Sequence, residues 1–177
     1  VGHCCSLSTQ PEAEALETLG LVAEAGINVV SLPLCNLYLQ DRHAKRTPRY
    51  RGVTLVHEMK ARGTNVSFAS DNTRDPFYAY GDLDMLEVMR EATRIAHLDH
   101  SDADWVNAFL TNPAKASGFK LPSLAPGAPA DLVICKARNF NELMSRPQSD
   151  RIVVRGGEQI DRTLPDYSEL DDLMEPA

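Results

Sequence analysis

Residues 65–82 read NVSFASDNTRDPFYAYGD, a short apolar run that breaks at Asp71 into a polar turn. A carboxylate directly behind a buried strand is costly to desolvate unless something pairs with it. Asp71 is therefore a turn residue, a helix cap or the ligand of a group the sequence does not spell out. Its flanks narrow the setting. Upstream, a helix is expected from about Thr54 to Arg62, stopped by Gly63. Downstream, Asp82 is placed to cap a helix carrying Leu86, Met89, Ala92 and Ala96 on one side.

The same strand-and-helix unit recurs toward the N-terminus. Thr9-Gln10-Pro11-Glu12 has the form of a helix start, with a hydroxyl cap, Pro in the first turn and Glu three residues after the Thr. Leu16, Leu19, Val22 and Ala23 follow at helical spacing, and Gly26 ends the run. INVVSLP, residues 27–33, is apolar almost throughout, as a strand covered on both faces should be. Residues 34–52 read as a long polar loop, and another amphipathic stretch is expected near Asp102–Leu110. Strands and helices alternate three times, which points to parallel strands joined by right-handed crossovers. Three such units are too few for a closed barrel of eight, and no glycine-rich phosphate loop follows any strand.

From Pro122 the pattern changes. PSLAPGAPADLVICKA is a Pro/Gly turn cluster running into a strand, and DRIVVRGGEQID reads as a strand and hairpin. Residues 158–177 hold seven acids and one base, the composition of a solvated tail.

Composition excludes several classes. The 177 residues carry a net charge of −7, against non-specific nucleic-acid or acidic-membrane binding. No apolar run approaches the ~18 residues of a spanning helix. Cys4, Cys5, Cys35 and Cys135 are too sparse for a disulfide framework, so a reducing, cytoplasmic setting is expected. VGHCCS reads as the tail of a strand, so a processed chain or part of a longer polypeptide is expected.

His3 and Asp71 each stand at the carboxyl end of an expected strand, the edge where α/β folds build sites. An imidazole and a carboxylate there suit a divalent metal or a proton-transfer pair. Spacing alone favours a hydrogen-bonded core histidine and a capping or turn carboxylate. RHAKRTPRYR, residues 42–51, has five Arg or Lys and no acid, a solvated rim or a charged lip over a site. Tyr38 and Gln40 are candidates for the same mouth, and Phe77, Tyr78 and Tyr80 form an aromatic group beside Asp71.

Read in order, GH at 2–3, GINVVSLPLCNLYLQDR at 26–42, RGVTLVHEMKARGTNVSFASDNTRDPFYAYGDLDMLEV at 51–88, TNPAKASG, APGAPADLVI and VRGGEQID resemble the C-terminal half of cytosine deaminase in the amidohydrolase superfamily. The resemblance implies an α/β fold, the last three βα units of a metal-dependent (β/α)8 barrel, with strands of a small β-sandwich domain. It divides the chain into a barrel portion (1–120), a small β segment (121–163) and an acidic tail (164–177). It implies one divalent metal ion, iron or zinc. It makes Asp71 a metal ligand and proton acceptor, His3 the residue that orients or activates water, and Asn72 and Phe77 substrate-binding positions. Asn72, Phe77 and Tyr38 stand where enterobacterial members have Asp, Trp and His.

The implied activity is hydrolytic deamination of cytosine, or a close cyclic amidine, by the complete polypeptide. The upstream half of the barrel would be required as a partner, and a homo-oligomer without nucleic acid or membrane is the expected assembly. The rivals are another amidohydrolase of cyclic amides or amidines, and a non-catalytic assembly module that kept the fold.

Overall fold

The computed structural model describes residues 1–100 and 104–174. They form two compact units, Val1–Pro122 and Ser123–Ala177.

The first unit is built on three parallel backbone segments in chain order. Gly2 bridges Val30, and β1 (Val29–Ser31) pairs in parallel with β2 (Val66–Phe68). The hydrogen bonds continue past the strands, from Val30 N–H to the Val1 carbonyl and from Ala69 N–H to the Ser31 carbonyl. All three β2 residues are buried, Ser67 between Val66 and Phe68 included, so both faces of the strand are covered.

Between the first segment and β1 lies α1 (Glu12–Glu24), with Ala15 and Leu19 facing the core. It ends as the sequence implies. Gly26 adopts φ 64°, Gly26 N–H donates to the Ala23 carbonyl and Ile27 N–H to the Val22 carbonyl. This left-handed closure satisfies two end carbonyls. Its start differs from expectation. Thr9 belongs to a 3₁₀ turn, Cys5–Thr9, where its hydroxyl donates to the Ser6 carbonyl, and Pro11 takes the cap position.

Residues 34–52 are not all loop. Pro33 opens α2 (Pro33–Leu39), whose first four residues are buried. A proline at the first helical position has no N–H to leave unpaired, and it turns the apolar continuation of β1 into a helix. The next helix, α3 (Val56–Ala61), buries Val56 and Met59. After the Asp71 loop, α4 (Met85–Ala96) is capped by Asp84, which accepts from Leu86 N–H at 2.9 Å. Asp82 pairs with Arg74 at 2.7 Å instead. Val88, Met89, Ala92 and Thr93 give α4 its inward stripe.

The stretch expected near 102–110 is a tight 3₁₀ turn at Trp105–Phe109, and residues 101–103 lie outside the described residues. Trp105 and Ala108 are buried there, and α5 (Thr111–Ser117) follows. Phe109 stacks on Phe68 at 4.9 Å between ring centres. Leu19, Val29, Val56, Met59, Val66, Phe68, Val88 and Trp105 thus join strands and helices in one core.

The second unit is an antiparallel sheet of order β3–β4–β5, from β3 (Leu132–Ile134), β4 (Ile152–Arg155) and β5 (Glu158–Gln159). Gly156 and Gly157 join the last two strands with φ of 59° and 87°, the left-handed pair a two-residue hairpin needs. Helix α6 (Phe140–Ser145), capped by Asn139, connects β3 to β4. Beyond 163 the acidic stretch holds a 3₁₀ turn, Tyr167–Leu170, and one short helix, α7 (Asp171–Met174). No described helix is long and apolar enough to cross a membrane.

Candidate functional site

His3 and Asp71 leave their strands through left-handed backbone, each with φ 66°, and Cys4 follows His3 at φ 51°. Residues with a Cβ rarely adopt this region, and where they do the surroundings must hold them. The holding contacts are evident. His3 N–H donates to the Val30 carbonyl at 3.0 Å, and the Thr54 hydroxyl donates to the His3 carbonyl at 2.5 Å. The turn that re-aims each backbone brings the two side chains together, with His3 Nδ1 4.0 Å from Asp71 Oδ2. That spacing is beyond a hydrogen bond and within reach of a charge interaction. Asp71 is largely buried, while half of the His3 side chain is exposed.

Two neighbours that the sequence reading passed over complete the constellation. Both come from the first turns of α2, the segment expected as loop. Asn36 is buried and its Nδ2 lies 2.8 Å from His3 Nδ1. Cys35 is fully buried and its thiol donates to the Asn72 carbonyl at 3.5 Å. Burial, followed by the Asp71 carboxylate beside it, pushes the Cys35 thiol up to about 12. It stays a neutral thiol, a packing and hydrogen-bonding group rather than a nucleophile. The only signal for this pair was the cap logic of Pro33, which marks a helix start at the end of β1.

The loop after Asp71 is organised by Asp75. Its carboxylate accepts from Phe77 N–H at 2.9 Å, from Tyr78 N–H at 2.8 Å and from the Asn72 side-chain amide. The Tyr78 amide and the Asn72 side chain, in that order, hold its carboxyl below the usual range. Asp75 N–H donates to the Tyr78 carbonyl and Arg74 N–H to the Tyr80 carbonyl, closing a tight loop. Asn72 thus lies next to Asp71 with its amide nitrogen engaged by Asp75. Phe77 projects from the tip, 62% exposed.

Tyr38, Tyr78 and Tyr80 meet edge-to-face, with centroid separations of 5.1, 5.8 and 6.1 Å. The Arg42 guanidinium lies 4.3 Å over the Tyr38 ring, a cation–π arrangement. Phe77 is not one of these three rings. Gln40 turns from the mouth to accept from Gly52 N–H at 2.5 Å. The basic loop is held from the residue just before it. The Asp41 carboxylate pairs with Arg46, lies 3.4 Å from His43 Nε2, and accepts from the backbone N–H groups of Arg49 and Tyr50. Those backbone bonds, with Arg46, lower the Asp41 carboxyl. His57 Nε2 donates to the Ala96 carbonyl, 2.8 Å away, and the ring packs on Trp105, a structural placement.

Imidazole and carboxylate at the ends of the two segments that flank β1 are donors that fit a divalent ion. Among the described residues no group of three or more His, Cys, Asp or Glu side chains converges.

A parallel α/β unit with His and Asp at its carboxyl edge, followed along the chain by a small antiparallel sheet, fits one broad class of hydrolase. The profile of the Amidohydrolase family matches residues 1–161, and the chain belongs to that family. It is similar to the pterin deaminase of Rhizobium rhizogenes, with 58% identity over 174 residues, covering 98% of this chain and 40% of that protein. Among solved structures, the 5-methylcytosine deaminase from Klebsiella pneumoniae liganded with 5-fluorocytosine matches at TM-score 0.74 and 29% identity. That match covers 94% of this chain and 41% of the other. An adenosine deaminase from Xanthomonas campestris with bound zinc shares the fold at TM-score 0.63 and 22% identity, over 94% of this chain and 39% of its own. The chain spans about 40% of the length of the pterin deaminase it matches.

Proposed function

We propose that this chain is the part of a hydrolytic deaminase that carries the last three βα units of its (β/α)8 barrel, acting on a ring amidine within the complete polypeptide. The observation that carries the proposal is the approach of His3 to Asp71, 4.0 Å apart on strained backbone at the strand ends. In the overall reaction a water oxygen bonds to the amidine carbon and the carbon–amine bond breaks. One water proton leaves with the amine as ammonia, and the other ends on the ring nitrogen.

Asp71 is the proton acceptor in this reading and also the residue here that would hold a divalent ion, zinc or iron. Such an ion, when bound, supplies Lewis acidity that lets water act as a nucleophile near pH 7. His3 orients the water against the substrate. The exocyclic amine stands near Asp71, which can return the proton to it. Asn72 and Phe77 line the substrate side, with Asp75 fixing their loop and Phe77 offering an exposed face to a planar ring.

The similarity to pterin deaminase favours a pterin-type bicyclic ring as substrate. Cytosine is the second reading, favoured by the likeness to the structure liganded with 5-fluorocytosine. A cytoplasmic homo-oligomer belongs to the same proposal. The test is ammonia release by the full-length polypeptide, loaded with zinc or iron, on pterin, cytosine and isocytosine. Release from pterin above the others is expected. Release from none, with the metal content verified, sinks the deaminase reading.

A further inference from the structure

Asn36 touches His3 and is unexplained by packing alone. Its backbone is fixed on both sides, with its N–H donating to the Leu32 carbonyl and its carbonyl accepting from Gln40 N–H. Only 6% of the residue is exposed, so its amide cannot turn to solvent. Nδ2 reaches His3 Nδ1 at 2.8 Å, while Oδ1 is buried and has no hydrogen-bond partner among the described residues. A buried amide with one end unpaired is costly, and here the only side-chain bond set against that cost is the one to His3.

We infer that Asn36 is a positioning residue that fixes the tautomer of His3, donating into Nδ1 so that the ring proton sits on Nε2. The orientation of the amide follows from the cost of the alternative. As placed, the unpaired atom is one carbonyl-type oxygen. Reversed, it would be an NH₂ group with two buried donors, and orphaned N–H groups are the rarer defect. Asp71 does not compete for this nitrogen, since Oδ2 is 4.0 Å from Nδ1 and Asn36 is 2.8 Å from it. A nitrogen that accepts from an amide cannot carry the proton of the neutral ring, which therefore lies on the other nitrogen.

The inference rests on the proposed deamination and refines it. With Nε2–H presented to the reaction, His3 donates a hydrogen bond and does not take a proton. The two side chains then divide the work: Asp71 accepts, and His3 orients the attacking or developing oxygen. Two acceptors would compete for one water proton. An acceptor beside a donor fixes the water's orientation.

The experiment uses the zinc-loaded full-length polypeptide with ¹⁵N-labelled histidine rings, the His3 signals being those lost in His3→Gln. An unprotonated Nδ1 and a protonated Nε2 are expected. A proton on Nδ1 in the wild-type protein overturns the inference. This reading needs no substrate, so it stands apart from any failure to deaminate. Asn36→Asp supplies an acceptor in place of the donor and should move the proton to Nδ1. At equal zinc occupancy kcat should then fall ~10²–10³-fold, the usual scale for losing one oriented donor. KM should stay within about threefold, as expected for a contact made in the transition state. A ring proton that stays on Nε2 in Asn36→Asp, or one that moves with kcat unchanged, overturns the role. If that variant does not fold, the wild-type spectrum decides alone.

Discussion

Gly52 offers a sharp test of how the His3 segment is held. A Cβ added there would lie 2.5 Å from the Cys5 carbonyl oxygen, and still closer to the Ser8 hydroxyl. No real Cβ tolerates either contact, so Gly52→Ala must displace something. The Ser8 side chain is small and donates to the Cys5 carbonyl at 2.7 Å. It can rotate away at the loss of that bond. The Cys5 carbonyl is backbone, in the 3₁₀ turn that begins two residues after His3, and it can move only with the turn.

Overpacking of this kind costs ~1–3 kcal/mol, with the strain directed at the backbone carrying His3. Urea unfolding of the full-length protein should show Gly52→Ala destabilised within that range. Adding Ser8→Ala should restore less than half of the loss, because it removes the side-chain clash and leaves the backbone one. Full recovery in the double variant would mean that the turn is not the obstacle. An unchanged midpoint for Gly52→Ala would refute the close approach altogether.

Asp71→Asn in the complete polypeptide should lower kcat by ~10²–10⁴-fold, the scale for removing a positioned proton acceptor, while urea stability changes little; unchanged turnover would remove Asp71 from the chemistry. Cys35 should resist alkylation in the native protein at pH 8 to 9, by mass spectrometry, and modification as fast as that of Cys135 would contradict its burial. Its thiol is raised from 9.0 to about 12. The native state therefore holds a proton that the unfolded state releases, and this contribution to stability is complete below pH ~9 and declines as pH rises toward 12. Asp41→Ala should speed trypsin cleavage within residues 42–51, since the carboxylate that gathers Arg46, Arg49 and Tyr50 is gone; an unchanged cleavage rate would show that the loop is held from elsewhere.

Much of the first unit was legible because its signals are local. Gly26 ends α1 through a left-handed residue that few side chains tolerate, and Val66 to Phe68, a short run without charge, folds as a strand covered on both faces. Where the reading erred, two local signals competed. Asp82 and Asp84 are both good caps, and the choice between them was made by Arg74, a residue eight positions upstream of Asp82. Thr9 has the capping chemistry for α1, but its hydroxyl finds the Ser6 carbonyl first. Composition in 34–52 hid α2 because the polar, basic residues after Gln40 outweighed seven helical residues before it.

The site shows the same division between local and distant causes. His3 and Asp71 could be named from their places behind strands, since strand ends in parallel folds converge whatever the connecting lengths. Asn36 and Cys35 could not, because their part depends on which face of a short helix meets a strand end that lies 33 or more residues away in sequence. The backbone itself gives the stronger argument for function. Left-handed conformations at His3, Cys4 and Asp71 are unfavourable for residues with a Cβ. A fold optimised for stability alone would place glycine there. Thr54, Val30 and Asn36 instead hold the strained histidine from its carbonyl, its N–H and its ring. Such expense at one edge of a sheet makes sense when the position of an imidazole matters more than the ease of its backbone.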